Sequence, residues 1–158
     1  MDVDLLLQAL EKALPGTVPS PQVVPIDELF LTLTPECIRP AIHLMVTRFD
    51  ILHLSVITGE DMGDEIVLLY HFWDQRGLTL RTTLPSEQPQ IATITDLMPG
   101  ADFYEREVAE MLGVRFEGYP DPLPLLLPDD WDAPPPLRKA AADSSDSAVT
   151  DKDQEQIQ

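Results

Sequence analysis

The stretch from Ile51 to Leu84 constrains the fold more than any other part of the chain. It holds three runs rich in branched and aromatic residues: Ile51–Thr58, Glu65–Trp73 and Leu78–Leu84. Gly59-Glu60-Asp61-Met62-Gly63-Asp64 separates the first two, and Asp74-Gln75-Arg76-Gly77 the last two. Glycine and aspartate clusters of this kind mark turns, and alternate residues on each run share one face of a strand. Strands joined by short turns pair antiparallel. The spacing predicts a three-stranded meander with one apolar face, which helices must cover.

Helical patterns flank it. Val3, Leu6, Leu7, Leu10 and Leu14 recur at helical spacing until Pro15-Gly16 ends the run. Glu28 to Leu33 alternates toward strand. Thr34-Pro35-Glu36 reads as a helix start, with Thr34 at the N-cap and Pro35 at the first helical position. That helix should run to about Arg48 and bury Ile38, Ile42, Met45 and Val46. A third helix spans Tyr104–Leu112, with Tyr104, Val108, Met111 and Leu112 as its apolar stripe and Gly113 at the stop. The expected fold class is α+β: a small antiparallel sheet with helices packed on one face, an extended C-terminal arm and a disordered acidic tail. The division runs 1–98, 99–139 and 140–158. The tail carries five acids against one lysine and no aromatic residue.

Charge narrows the function classes. The 158 residues carry a net charge of −18, so most of the acidity belongs to the part before the tail. Such a chain repels phosphate backbones and anionic lipid surfaces. Cys37 is the single cysteine, so this sequence offers no internal disulfide and no cysteine cluster for zinc or iron–sulfur. No apolar run approaches a membrane-spanning length, and the acidic N-terminus lacks the basic start of a signal peptide. The expectation is a chain that reaches a membrane only through partners.

The block from Pro99 to Lys139 carries the binding chemistry. Glu105 and Glu107 project about 200° apart on a helix, so they form no carboxylate pair. Asp102–Arg106 and Arg106–Glu110 are i,i+4 pairs. Glu105-Arg106-Glu107 reads either as an ionic lock against a neighbouring subunit or as a solvated helix face. Prolines at 120, 122, 124 and 128 forbid a helix and force an extended run. Leu125 and Leu127 should face opposite to Leu126. Trp131 stands among Asp129, Asp130 and Asp132, and Pro134-Pro135-Pro136 stiffens the approach to Leu137-Arg138-Lys139. His43, His53 and His71 show no metal-ligand spacing.

This block resembles the 30-kDa subunit family of respiratory complex I, the NADH:quinone oxidoreductase. The residues that carry the resemblance are Glu105-Arg106-Glu107, Gly113, Phe116, Gly118, Pro120, Leu126-Leu127-Pro128, Asp130-Trp131 and Pro136-Leu137-Arg138-Lys139. The chain departs from the family pattern at Glu110, Tyr119, Leu123-Pro124 and Ala140-Ala141. The lead-in from Ile94 to Ala101 is similar to that of related subunits in energy-converting hydrogenases and archaeal deazaflavin-dependent dehydrogenases.

The resemblance implies a subunit in the hydrophilic arm of a membrane-bound, ion-translocating oxidoreductase, peripheral and on the cytoplasmic side. It implies that this chain binds no cofactor or metal. Iron–sulfur clusters, and a flavin or Ni–Fe site, would reside in other subunits. The partners it implies are the large hydrogenase-like subunit and the cluster-bearing subunits, gripped by the motif residues. Two other readings of the residues are a stand-alone adaptor using the Pro/Leu run and a hydrolase using Glu105, Glu107 and a histidine.

Overall fold

The computed structural model describes residues 2–16, 22–24, 28–120 and 124–139, for 22–24 the backbone only. The acidic tail from 140 onward lies outside the described residues. The elements run α1 (Val3–Ala13), β1 (Gln22–Val24), β2 (Glu28–Thr32), α2 (Pro35–Phe49), β3 (Leu54–Asp61), β4 (Glu65–Asp74), β5 (Arg76–Pro85), β6 (Gln90–Ala92), α3 (Ala101–Leu112) and β7 (Arg115–Glu117).

The meander forms as its alternation dictates. Ile66, Leu68, Tyr70 and Phe72 of β4 stand opposite Leu84, Thr82, Leu80 and Leu78 of β5, and all eight are buried. Leu29 and Leu31 extend this face on one side and Ile57 on the other. The helices cover it, α2 through Ile38, Ile42 and Met45 and α3 through Val108 and Leu112. Leu6 and Leu10 of α1 complete the core from the side of α2. Full burial of each leucine or isoleucine contributes about 1.5–3 kcal/mol. Gly59 is placed by packing. A Cβ there would collide with Leu112 Cδ1, so the absence of a side chain sets how closely α3 approaches β3.

The α+β class holds, but the sheet is mixed. Its order is β1-β2-β5-β4-β3, and β2 pairs parallel with β5. The cause is α2, which crosses back over the sheet and makes β2 and β3 run the same way. Two hairpins later, β5 runs that way too. A second, two-stranded sheet pairs β6 with β7 in parallel across α3, and its Ile91 and Phe116 join the core. The sequence pattern signals no such sheet.

The first meander strand begins and ends three residues later than its composition predicts. Asp50 takes the left-handed cap conformation after α2, and the Ile51 N–H bonds to the Met45 carbonyl at 3.1 Å. Buried Ile51 therefore finishes the helix instead of starting the strand. At the other end, the Gly63 N–H donates to the Asp61 carboxylate at 2.7 Å, which tightens the turn and lets Gly59–Asp61 stay in the strand. Thr34 occupies the N-cap position of α2 as expected, but its side chain makes no capping bond. Strand β3 is outermost in its sheet, and the Tyr104 hydroxyl of α3 donates to the Ser55 carbonyl on it at 2.8 Å.

Candidate partner-binding surface

Helix α3 organises the site, because it is anchored on one side to the core and on the other to the arm. Ala101, Val108 and Leu112 turn inward. Gly113 ends the helix at φ +71°, its N–H reaching the Ala109 carbonyl at 2.9 Å. That conformation favours glycine, and a Cβ there would also stand 3.1 Å from the Pro135 ring of the arm.

Glu105 is neither a solvated surface charge nor open on the helix face. It is 1% exposed and lies within its own domain. Its carboxyl accepts from the Thr93 hydroxyl at 2.6 Å and from the Ile94 N–H at 2.8 Å. Among the described residues no cation pairs with it. Burial pushes its pKa up to about 7, against the two hydrogen bonds and with the help of the charges on Asp102 and Asp96. Among the described residues the buried Tyr70 hydroxyl has no hydrogen-bond partner, and burial with the nearby Glu105 charge raises its pKa. The loop that holds Glu105 is pinned in turn. Arg39 donates to the Thr93 carbonyl and forks onto the Asp96 carboxylate, each contact at 2.6 Å. The Arg39 bonds bring Asp96 down to about 2.

The outer side of α3 clips the arm. Arg106 stands 3.5 Å from Asp102 and donates to the Pro124 carbonyl at 3.0 Å. Glu110 accepts from three successive arm amides: Leu125, Leu126 at 2.8 Å and Leu127 at 3.1 Å. Desolvation acts to raise the Glu110 pKa, but these amides and the Arg106 charge outweigh it and hold the carboxyl below its usual range. Tyr119 donates to Asp102, and burial with that bond pushes the phenol up to about 12.

The arm's end is latched at the sheet. The Leu137 N–H bonds to the Met111 carbonyl at 2.9 Å. Arg138 pairs with the buried Asp61 at 3.0 Å and donates to the Ser86 carbonyl, the Ser86 hydroxyl and the Leu112 carbonyl. The Lys139 N–H also reaches Asp61, at 2.9 Å. The Gly63 amide first, then the Lys139 amide and the Arg138 charge, keep the Asp61 carboxyl low despite desolvation.

The motif residues therefore divide into three groups. Glu105, Gly113, Phe116, Arg106 and Arg138 hold the domain or the arm together. Leu127 is half-buried, its partial burial opposite in sense to that of Leu126. Glu107, Gly118, Pro120, Leu126, Pro128, Asp130, Trp131, Pro136, Leu137 and Lys139 are exposed. Leu126 is 58%, Trp131 44% and Leu137 59% accessible, and Phe103, absent from the motif, is 63% accessible on α3. Glu105 turns into the core while Glu107 faces solvent, which separates the two carboxyls that a hydrolase would need together. Glu110 and Asp61 are arm anchors that sequence reasoning missed. A carboxylate i+4 from Arg106 signals an ion pair, and nothing in sequence signals bonds to a segment fifteen residues away.

The sequence model of the family described as "Respiratory-chain NADH dehydrogenase, 30 Kd subunit" matches residues 31–146. The chain belongs to this family. Its members are subunits of complex I-like and related respiratory membrane complexes. The match reaches well upstream of the Pro99–Lys139 motif block and takes in the whole meander. An NADH-quinone oxidoreductase subunit of Salinispora tropica is 31% identical over 145 residues, covering 84% of this chain and 58% of that one. An F420H2 dehydrogenase subunit of Methanosarcina mazei is 37% identical over 97 residues, covering 58% of this chain and 60% of that one. A solved trypsin-resistant fragment of Nqo5 shares 27% identity at a TM-score of 0.61, covering 73% of this chain and 98% of the fragment. The chain spans about two fifths to three fifths of the length of curated relatives that it matches. Among the described residues of this 30-kDa-family chain, no helix is long and apolar enough to cross a membrane.

Proposed function

We propose that this chain is a structural subunit of the hydrophilic arm of a membrane-bound, ion-translocating oxidoreductase, docking a large hydrogenase-like subunit through α3 and the arm. In this reading it carries no redox group, sits peripherally on the cytoplasmic side, and leaves the electron donor and acceptor to other subunits, including those that bear the iron–sulfur clusters. Its contribution is positional: electron transfer between neighbouring subunits requires them to be held in fixed register.

One observation carries the reading. The arm is fastened to its own domain by polar contacts, which leave Leu126, Trp131 and Leu137 facing outward. Large apolar side chains held outward on an ordered segment are what a permanent interface covers. The test is recovery of the assembled complex from cells carrying Leu126→Asp with Leu137→Asp. Both positions are exposed, so the chain should fold and yet fail to bring down the large subunit. Unchanged recovery would sink the docking role.

A further inference from the structure

We propose that the outer side of the arm fits an apolar pocket on the partner subunit that receives the Trp131 indole and is rimmed by arginine or lysine side chains. This rests on the docking reading above and adds the chemistry of the surface on the other side.

The arm presents a distinctive combination. Its arginine, Arg138, is turned inward onto Asp61, Ser86 and the end of α3. The charges left around the indole are Asp129, Asp130 and Asp132, all exposed and none in an ion pair among the described residues. Covering Trp131 strips water from these carboxylates, which opposes binding unless cations replace the lost hydration. Arginine suits the rim best, because its plane stacks on an indole and its fork grips a carboxylate. A second copy of this chain is a poor occupant, since each carries a net charge of −18.

The surface is also set before docking. The Trp131 N–H closes a turn onto the Pro128 carbonyl at 3.0 Å, Pro135 seats beside Gly113, and Pro134-Pro135-Pro136 restricts the backbone between them. A large aromatic on a pre-ordered turn has the character of an interface hot spot, because little conformational freedom is lost on binding.

The experiment uses membranes from a strain lacking this chain, rebound by the purified full-length chain at about 50 mM and about 500 mM salt, where the screening length differs severalfold. Trp131→Ala should weaken rebinding by about tenfold or more at both salts. The triple variant Asp129→Asn, Asp130→Asn, Asp132→Asn should weaken it by about tenfold at low salt and little at high salt. Trp131→p-benzoylphenylalanine should photo-crosslink to a peptide of one other subunit that contains arginine or lysine. Crosslinking to a second copy or to an acidic peptide overturns the inference. So does rebinding by the triple variant that equals wild type at low salt. If Leu126→Asp with Leu137→Asp blocks rebinding while the Trp131 and aspartate variants do not, the inference falls and the docking reading stands. If that leucine pair has no effect, the docking reading falls as well.

Discussion

Arg138 and Asp61 meet at 3.0 Å, joining the last described turn of the arm to the buried end of strand β3. The same carboxylate takes the Gly63 and Lys139 amides, so the hairpin turn and the arm share one anchor. Arg138→Ala removes its ion-pair partner and leaves a buried carboxylate held by the Gly63 and Lys139 amides and the weaker pull of the Lys139 charge. The expected loss is about 3 kcal/mol, read from urea unfolding. Arg138→Lys should recover only part of it, because an ammonium cannot span Asp61, Ser86 and Leu112 together.

Glu105 gives the fold a pH dependence of unusual sign. Its folded pKa of about 7 lies above the ordinary 4.5, so the folded state holds this proton more tightly than the unfolded one. The stabilisation is fully present below pH 4.5, declines as pH rises by at most about 1.4 kcal/mol per unit, and is gone above the folded value. Glu105→Gln mimics the protonated group and should flatten this slope. The variant should therefore gain on wild type between pH 5 and pH 8 in urea midpoints. Parallel curves for the two proteins would refute the assignment.

Glu110 and Asp61 act in the opposite direction. Both pKa values are lowered on folding, so their stabilisation is present above the ordinary carboxylate range and lost as pH falls through the folded values. Acid should release the arm from α3 before the core unfolds. Hydrogen exchange at the Leu125, Leu126 and Leu127 amides reports it directly. Glu110→Ala should reduce their protection by about tenfold or more at neutral pH, the size expected for bonds to a charged acceptor.

Two glycines should resist substitution for different reasons. Gly59→Ala pushes a methyl group into Leu112, whose side chain can yield only by disturbing the α3 contact, at a cost of about 1–3 kcal/mol. Gly113→Ala strains a left-handed cap by about 1–2 kcal/mol and also displaces Pro135. Thermal melts should show both losses. Only Gly113→Ala should also loosen the arm amides in hydrogen exchange.

Much of the architecture was legible because local pattern decided it. Period-two alternation in β4 and β5 placed the buried face, and the Leu6, Leu10, Ile38, Ile42 and Met45 stripes placed two helices. The parallel β2–β5 pairing was hidden because it depends on how α2 crosses the sheet, which no local pattern encodes. The burial of Glu105 is not legible in the sequence. Beside Arg106 and Glu107 the residue has the sequence signature of a surface charge cluster, while its burial depends on Thr93 and Ile94 arriving from another segment. The opposed facing of Leu126 and Leu127 follows the expected alternation, but the run expected to be extended bends at Leu125–Leu127, which is how three successive amides reach the one Glu110 carboxylate.

The hydroxyl that Tyr104 lends to Ser55 has a consequence for the chain before it meets any partner. An outermost strand offers its free carbonyls and amides as a template, and copies of one protein can polymerise edge to edge along it. Here Tyr104 of α3 occupies the Ser55 carbonyl, and the register shift between Leu54 and Val56 interrupts the strand at the same point. One hydroxyl of the helix that organises the arm thus also blunts, at Ser55, the edge along which unassembled copies could stack.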